Sequence, residues 1–127
     1  MEYVALVTGL AVLEYLVISF YVGWARGKFQ VVAPATTGHP EFERYFRVQQ
    51  NTVEQLVLFV PSLWLFGYFM GGPLAAVIGS FFLLGRILYF RGYVRAAEKR
   101  GLGFAIGQLA NVVLLIGGIA GAVIAIV

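Results

Sequence analysis

Two short stretches carry most of the side chains that could do chemistry. They are EFERYFRVQQNTVEQ, residues 41–55, and RILYFRGYVRAAEKR, residues 86–100. If each stretch is helical, at about 100° per residue, three of its polar groups share one face. The two faces consist of Arg47, Asn51 and Glu54 in the first stretch and Tyr89, Tyr93 and Arg100 in the second. Facing each other, they would form a pocket that offers cations, an anion, an amide and two phenols.

A plainer interpretation exists for part of this pattern. The other basic residues at the end of the second stretch lie on a different face from the tyrosines: Arg91, Arg95 and Lys99. Long basic side chains near the end of a membrane helix commonly reach the lipid headgroups, and tyrosines can form an interfacial belt. The glutamate, asparagine and glutamines of residues 41–55 are costly beside lipid unless they line an enclosed cavity, which favours the pocket. Gln49 points away from Arg47, so it would serve a neighbouring subunit's pocket.

The elements that must position these stretches are membrane helices. Of 127 residues, 61% are hydrophobic and 12% charged, which is outside the range typical of soluble domains. A helix needs about 20 mostly apolar residues to cross the hydrocarbon core, and no segment alternates like a barrel strand. We predict an all-α integral membrane protein, a four-helix bundle in one domain. Its predicted helices span about residues 3–28, 41–70, 73–99 and 102–126 of the single domain 1–127.

The placement of charge predicts the orientation of the bundle. Basic residues lie toward the loops after the first and third predicted helices, while both termini and the turn at residues 71–73 have none. By the positive-inside rule, those two loops face the cytoplasm and the termini face the opposite side, in a bacterial inner membrane or the endoplasmic reticulum. A basic rim beside anionic lipid explains the pI near 9.5, so we predict no nucleic-acid partner.

Glycines and absent residue types add further constraints. Gly103 with Gly107, and Gly117 with Gly121, are small residues four apart, which indicates close helix packing or oligomer contacts. The absence of cysteine excludes disulfides, thiol catalysis by the protein and iron–sulfur clusters. His39, the single histidine, lies in a loop without partners at ligand spacing, so we predict no metal site.

Glu14 and Arg86 fall near the middle of the first and third predicted helices. Isolated charges are expensive there, so we expect an ion pair within the subunit or between subunits. Glu14 also supports another function, because small four-helix multidrug exporters use one membrane glutamate in their first helix. A non-catalytic lipid-binding scaffold is a third possibility. The polar stripe of residues 41–55 favours an enzyme, since a proton-coupled exporter does not need it.

The two stretches, with the loop PATTGHPEFER of residues 34–44, resemble the membrane-associated proteins in eicosanoid and glutathione metabolism, the MAPEG family. The likeness covers about residues 20–104 and is greatest to the microsomal glutathione transferase and leukotriene C synthase branch. The family forms four-helix bundles and homotrimers that hold glutathione between subunits. The resemblance therefore implies a membrane-bound glutathione transferase, which could in addition act as a glutathione peroxidase. Its implied partners are glutathione as co-substrate, a lipophilic electrophile or lipid hydroperoxide, membrane lipid and identical subunits.

The resemblance also implies roles for individual residues. The glutathione ligands of one subunit would be Arg47, Asn51, Glu54, Tyr89, Tyr93 and Arg100, and the adjacent subunit would add Arg26 and Gln49. Arginines would bind the carboxylates and Glu54 the γ-glutamyl ammonium. Arg100 is the implied catalytic residue, because a neighbouring cation stabilises a thiolate.

Two positions depart from the family pattern. Gln55 stands where relatives have an aromatic residue, and Gly27 stands where leukotriene C synthase has a second arginine. Gly27 favours a general conjugating or peroxide-reducing transferase over a dedicated leukotriene epoxide activity. Arg100 and Glu54 are retained, which argues against the non-catalytic lipoxygenase-activating member.

Overall fold

Four long helices account for almost all of the computed structural model, which describes residues 1–127. Their bounds are α1, Glu2–Phe29; α2, Pro40–Met70; α3, Gly72–Arg95; and α4, Gly101–Ile126. Each is long and apolar enough to cross a membrane. Only helices and closed barrels satisfy every backbone polar group inside lipid, which explains why sequences of this composition fold in this way. The predicted all-α, four-helix membrane fold is confirmed.

The loop between α1 and α2 has a defined boundary at each side. Gln30 adopts a left-handed conformation, with φ of 56°, and ends α1. His39 caps α2, because its Nδ1 accepts a hydrogen bond from the Glu41 N–H at 3.2 Å, and Pro40 takes the first helical position. The predicted loop histidine is thus a helix cap, and it fixes where the polar half of α2 begins.

The third helix is shorter than the sequence pattern predicts. That pattern extends it to residue 99, whereas α3 ends at Arg95, and Ala97–Arg100 form a 3₁₀ turn. Ala96 has an extended backbone, and the chain then folds back until the Lys99 carbonyl lies against Gly92, where no side chain would fit. No proline or glycine marks the stop at Ala96, so local sequence gave no signal for it.

The helices form a bundle in which α2 and α3 lie at the centre. Both α1 and α4 pack against α2 and α3. Met1 lies close to Gly72, and Gly121 close to Met70, so both termini share one end of the bundle with the α2–α3 turn. The other end holds the loop of residues 30–39 and the 3₁₀ turn, and the basic residues other than Arg86 lie toward it.

The apolar core occupies the half of the bundle near the termini. The rings of Phe59 and Phe82 stack with centroids 3.9 Å apart, and both side chains are buried. Leu63 from α2 and Leu114 from α4 are fully buried in the same cluster. Burying these large side chains against one another stabilises the packing of α2 with α3 and α4.

Glycine allows α4 to approach α3 at backbone distance. A Cβ atom on Gly103 would overlap the backbone of Tyr89, and one on Gly85 would lie 2.7 Å from the Gly107 nitrogen. The close packing predicted at Gly103 and Gly107 is confirmed, and it also involves Gly85 of α3, which the sequence pattern did not single out. It also fixes the start of α4 beside Tyr89, one of the predicted site residues.

Candidate functional site

A polar pocket opens at the end of the bundle that holds the 3₁₀ turn. It has a volume of about 280 Å³ and is lined by seven residues: Arg47, Gln50, Asn51, Glu54, Tyr89, Tyr93 and Arg100. The sequence pattern predicts all of them except Gln50. Each of the four residues from α2 lies three or four positions from two of the others, which places them on one helix face.

Tyr89 and Tyr93 come from one face of α3. Their ring centroids are 5.5 Å apart, and Tyr89 is buried. Arg100 reaches the pocket by a route that differs from the predicted one. It lies in the 3₁₀ turn and not on α3, and its guanidinium is 5.7 Å from the centroid of the Tyr93 ring. The fold-back of the chain after Arg95 therefore brings Arg100 beside Tyr93, and the helical spacing that the sequence predicts does not.

The charges of the pocket have no ionic partner within the chain. The only ion pair joins the amino terminus to Glu2, so neither Arg47 nor Arg100 pairs with Glu54. Arg100 Nη1 donates to the Ala97 carbonyl at 2.6 Å, which anchors the guanidinium and leaves its other N–H groups free to donate. Two cations and an anion on one small polar surface suit a ligand that itself carries charges of both signs.

Gln50 is the one pocket residue that was not predicted from the sequence. It lies three positions after Arg47 and four before Glu54, so the spacing that selects those two residues also selects Gln50. The helical spacing of the sequence could therefore have identified Gln50 as a pocket residue.

Arg26 and Gln49 lie outside this pocket. Arg26 Nη1 donates to the carbonyl oxygens of Ala35, at 2.7 Å, and Val31, at 3.3 Å, and so holds the loop between α1 and α2. Gln49 Nε2 donates to Ser19 Oγ at 3.1 Å, between α2 and α1. Within one subunit, Arg26 and Gln49 are therefore not brought together with the six predicted ligands that line the pocket.

The ion pair expected between Glu14 and Arg86 is not present within the subunit. Arg86 donates instead to Asn51 and Thr52, both at 2.9 Å, because these neutral acceptors face it from α2. Glu14 and Arg86 border a second cavity, a mainly apolar groove of about 660 Å³ between α1 and α3. The prediction of a pair within one chain was wrong.

Gln55 turns away from the pocket although it follows Glu54 directly. Its Oε1 accepts a hydrogen bond at 3.0 Å from Nδ2 of Asn111, a fully buried residue of α4. About 100° of rotation separates successive helical residues, so the two side chains leave α2 in different directions. Gln55, which departs from the family pattern, therefore contributes to the contact between α2 and α4 and does not line the pocket.

The chain matches a known protein family along most of its length. The MAPEG family model matches residues 4–120, nearly the whole chain. That range contains α2 and α3 in full, α1 without its first two residues, α4 without its last six, and every residue of the pocket.

Several proteins are similar along most of the chain. An uncharacterized protein of Synechocystis sp. is 53% identical over 113 residues, which are 89% of this chain and 82% of that protein. Microsomal glutathione S-transferase 2 of Homo sapiens is 43% identical over 113 residues, 87% of this chain and 77% of that protein. Leukotriene C4 synthase of Rattus norvegicus is 46% identical over 96 residues, 76% of this chain and 64% of the synthase.

Proposed function

This chain belongs to the MAPEG family, and from that membership we propose that it is a membrane-bound glutathione transferase acting on lipophilic electrophiles. The observation that carries the proposal is the set of charges in the polar pocket, Arg47, Glu54 and Arg100, which have no ionic partner within the chain. The names of the human and rat relatives, a glutathione S-transferase and a leukotriene synthase, support the reaction class.

The pocket groups match the groups of glutathione. The tripeptide carries two carboxylates, one ammonium and one thiol. Arg47 can bind a carboxylate with its planar fork, and Glu54 can accept hydrogen bonds from the γ-glutamyl ammonium. Asn51, Tyr89 and Tyr93 supply neutral hydrogen-bonding groups around these charges.

Arg100 is the proposed catalytic residue. A free thiol has a pKa of about 8.5, and the thiolate is the nucleophile. Lowering that pKa by about two units requires about 2.7 kcal/mol of stabilisation in favour of the thiolate. A guanidinium beside the sulfur, in a site shielded from water by bound substrate and protein, provides stabilisation of this kind.

The proposed reaction begins when the glutathione thiol loses its proton to solvent. The thiolate then attacks an electrophilic carbon, a C–S bond forms, and the leaving group or opened epoxide oxygen takes the displaced electron pair. With a lipid hydroperoxide, two glutathione molecules give the alcohol, water and glutathione disulfide. A lipophilic substrate reaches the site from the surrounding bilayer, since the helices are membrane-spanning.

A homotrimer completes the proposed site. The pocket volume, about 280 Å³, is at the lower limit of small-molecule sites, which enclose about 300–1,000 Å³. Arg26 and Gln49 of an adjacent subunit would supply further donors, with the basic end of each subunit at the cytoplasmic surface. In this arrangement the hydrogen bonds of Arg26 to Ala35 and of Gln49 to Ser19 orient these side chains on the subunit that provides them.

Stopped-flow ultraviolet absorbance tests the proposal. Mixing the purified protein with glutathione should give thiolate absorbance, and conjugation of 1-chloro-2,4-dinitrobenzene should follow. Arg100→Ala should abolish the thiolate signal and lower kcat/KM by about 100-fold or more, as is typical when an electrostatic stabiliser is removed. Lys99→Ala is the matched control, because Lys99 precedes Arg100, is also exposed, and does not line the pocket.

The same experiment separates the other two function classes. A non-catalytic scaffold would bind glutathione or lipid without thiolate formation or conjugation. An exporter that depends on Glu14 would give neither glutathione binding nor thiolate, and Glu14→Gln would abolish its transport. Equal losses in Arg100→Ala and Lys99→Ala would refute the assigned role of Arg100.

A further inference from the structure

Arg86 is a buried cation that lies behind the polar pocket. It is only 2% exposed, yet no carboxylate lies within ion-pair distance of it. Nη1 donates to Asn51 Oδ1 and Nη2 donates to Thr52 Oγ1, both at 2.9 Å. One guanidinium on α3 therefore holds two successive residues of α2, and one of these, Asn51, lines the pocket.

The hydrogen bond from Arg86 determines which way the Asn51 amide points. A guanidinium can only donate, so the Asn51 atom that faces it must be the carbonyl oxygen. The amide nitrogen then points elsewhere, and it makes no hydrogen bond to any other group of the chain. Since Asn51 borders the pocket, the group it offers to a ligand is the N–H₂ donor.

Arg86 also contacts the pocket through α3. Its guanidinium lies 4.1 Å from the centroid of the Tyr89 ring, and Tyr89 is itself buried. This cation–π contact holds the Tyr89 ring against Arg86. Arg86 thus touches one pocket residue on each of the two central helices.

We infer that Arg86 is a positioning residue that turns the Asn51 amide so that Asn51 donates to an acceptor oxygen of the tripeptide. This inference rests on the proposed function. The positive charge behind the Asn51 carbonyl also polarises the amide, which strengthens its N–H donors toward an anionic ligand. Lysine cannot replace arginine here, because a point charge does not present two parallel donors to Asn51 and Thr52.

A double-mutant cycle tests whether Arg86 acts through Asn51. The dissociation constant of glutathione is measured by isothermal titration with the full-length protein in detergent, for the wild type, Arg86→Lys, Asn51→Ala and the double variant. Each single variant should weaken binding by about tenfold, the usual effect of one hydrogen bond to a charged ligand. The double variant should bind no more weakly than Asn51→Ala alone, because the two residues act as one unit.

Asn51→Asp provides a second test that leaves Arg86 unchanged. The new carboxylate still accepts from Arg86 but presents an oxygen, and not a donor, to the pocket. Binding should fall at least as far as in Asn51→Ala. In Arg86→Lys, kcat at saturating glutathione should stay within about threefold of wild type, since loss of an interaction that is equally strong in the ground state and the transition state raises KM alone.

The possible outcomes distinguish this inference from the proposed function. If the wild type does not bind glutathione, the proposed function fails and takes the inference with it. If the wild type binds but the two single losses add to about 100-fold in the double variant, only the inference fails, because Arg86 then acts independently of Asn51. Wild-type affinity in Asn51→Asp would also overturn it.

Discussion

Residues 40–55 and residues 56–70 form one continuous helix, α2, yet their side chains meet different surroundings. In the first half, Arg47, Asn51 and Glu54 line the polar pocket at the basic end of the bundle. In the second half, Phe59 and Leu63 are fully buried in the apolar core. Both halves are α-helical, so the difference comes from the side chains and from what the neighbouring helices place against them.

This difference separates two physical requirements. Charged groups are expensive in hydrocarbon, so the pocket lies where α2 approaches the membrane surface and its charges keep access to water. Apolar groups stabilise by burial and close packing, so the core lies between the helices in the other half of the bundle, near the termini. Substitutions in the second half of α2 should therefore change stability, and those at the pocket face should change ligand binding.

The largest expected effect is on stability, from Phe59→Ala in the core. Removing a fully buried ring that stacks on Phe82 should lower the free energy of unfolding by about 3–5 kcal/mol. Protein that remains folded should bind glutathione with wild-type affinity. Denaturant unfolding in detergent measures the first quantity and calorimetry the second.

Val57→Ala is the control for that prediction. Val57 is in the same half of α2 but 73% exposed, so its truncation should change the free energy of unfolding by no more than about 0.5 kcal/mol. If Phe59→Ala reduced glutathione affinity in fully folded protein, the separation between the two halves of α2 would be wrong.

Gly103→Ala should affect both regions, with an expected cost of about 3 kcal/mol. A methyl group there meets the backbone of Tyr89, which cannot move aside as a flexible side chain would, so α3 and α4 must separate. Because Tyr89 lines the pocket, glutathione affinity should also fall, by about tenfold or more. Thermal unfolding and glutathione titration of the same preparation measure both effects.

Gly101→Ala is the matched control, two residues earlier on the same helix. Nothing lies within 4 Å of a Cβ atom there, so the substitution should be neutral or should stabilise α4 slightly. Equal behaviour of the two alanine variants would show that close packing of α3 against α4 does not hold the pocket together.

Much of the fold could be predicted because it follows from composition and periodicity. The lengths of the apolar segments gave the four membrane helices, and glycine spacing gave the close approach of α4. The end of α3 could not be predicted, because residues 96–100 are good helix formers and the stop depends on the Lys99 carbonyl packing on Gly92. That contact between Lys99 and Gly92 forms only after the chain has folded back, and helical periodicity does not predict a fold-back.

The pocket residues illustrate the same limit. Spacing along α2 could identify Arg47, Asn51 and Glu54, because all their neighbours lie on one regular helix. The partners of Arg86 could not be identified in this way. Pairing by charge predicts Glu14, whereas the guanidinium is placed by tertiary packing against neutral acceptors on α2. Opposite charge alone does not predict which acceptors the fold brings within hydrogen-bond distance of Arg86.

The smallest expected effect lies at the boundary between the two halves, at Gln55. Gln55→Leu leaves the Asn111 amide, buried and previously bonded to Gln55, without this partner, which should cost about 1–2 kcal/mol of stability. Glutathione affinity should stay within about twofold, because Gln55 faces α4. Glu54→Gln, one residue earlier, should do the opposite and weaken glutathione binding by about tenfold with little change in stability.

The double variant Gln55→Leu/Asn111→Leu should recover most of the lost stability, since both polar groups leave the core together. A thermal midpoint lower than that of Gln55→Leu would instead show that Asn111 has a partner outside this chain.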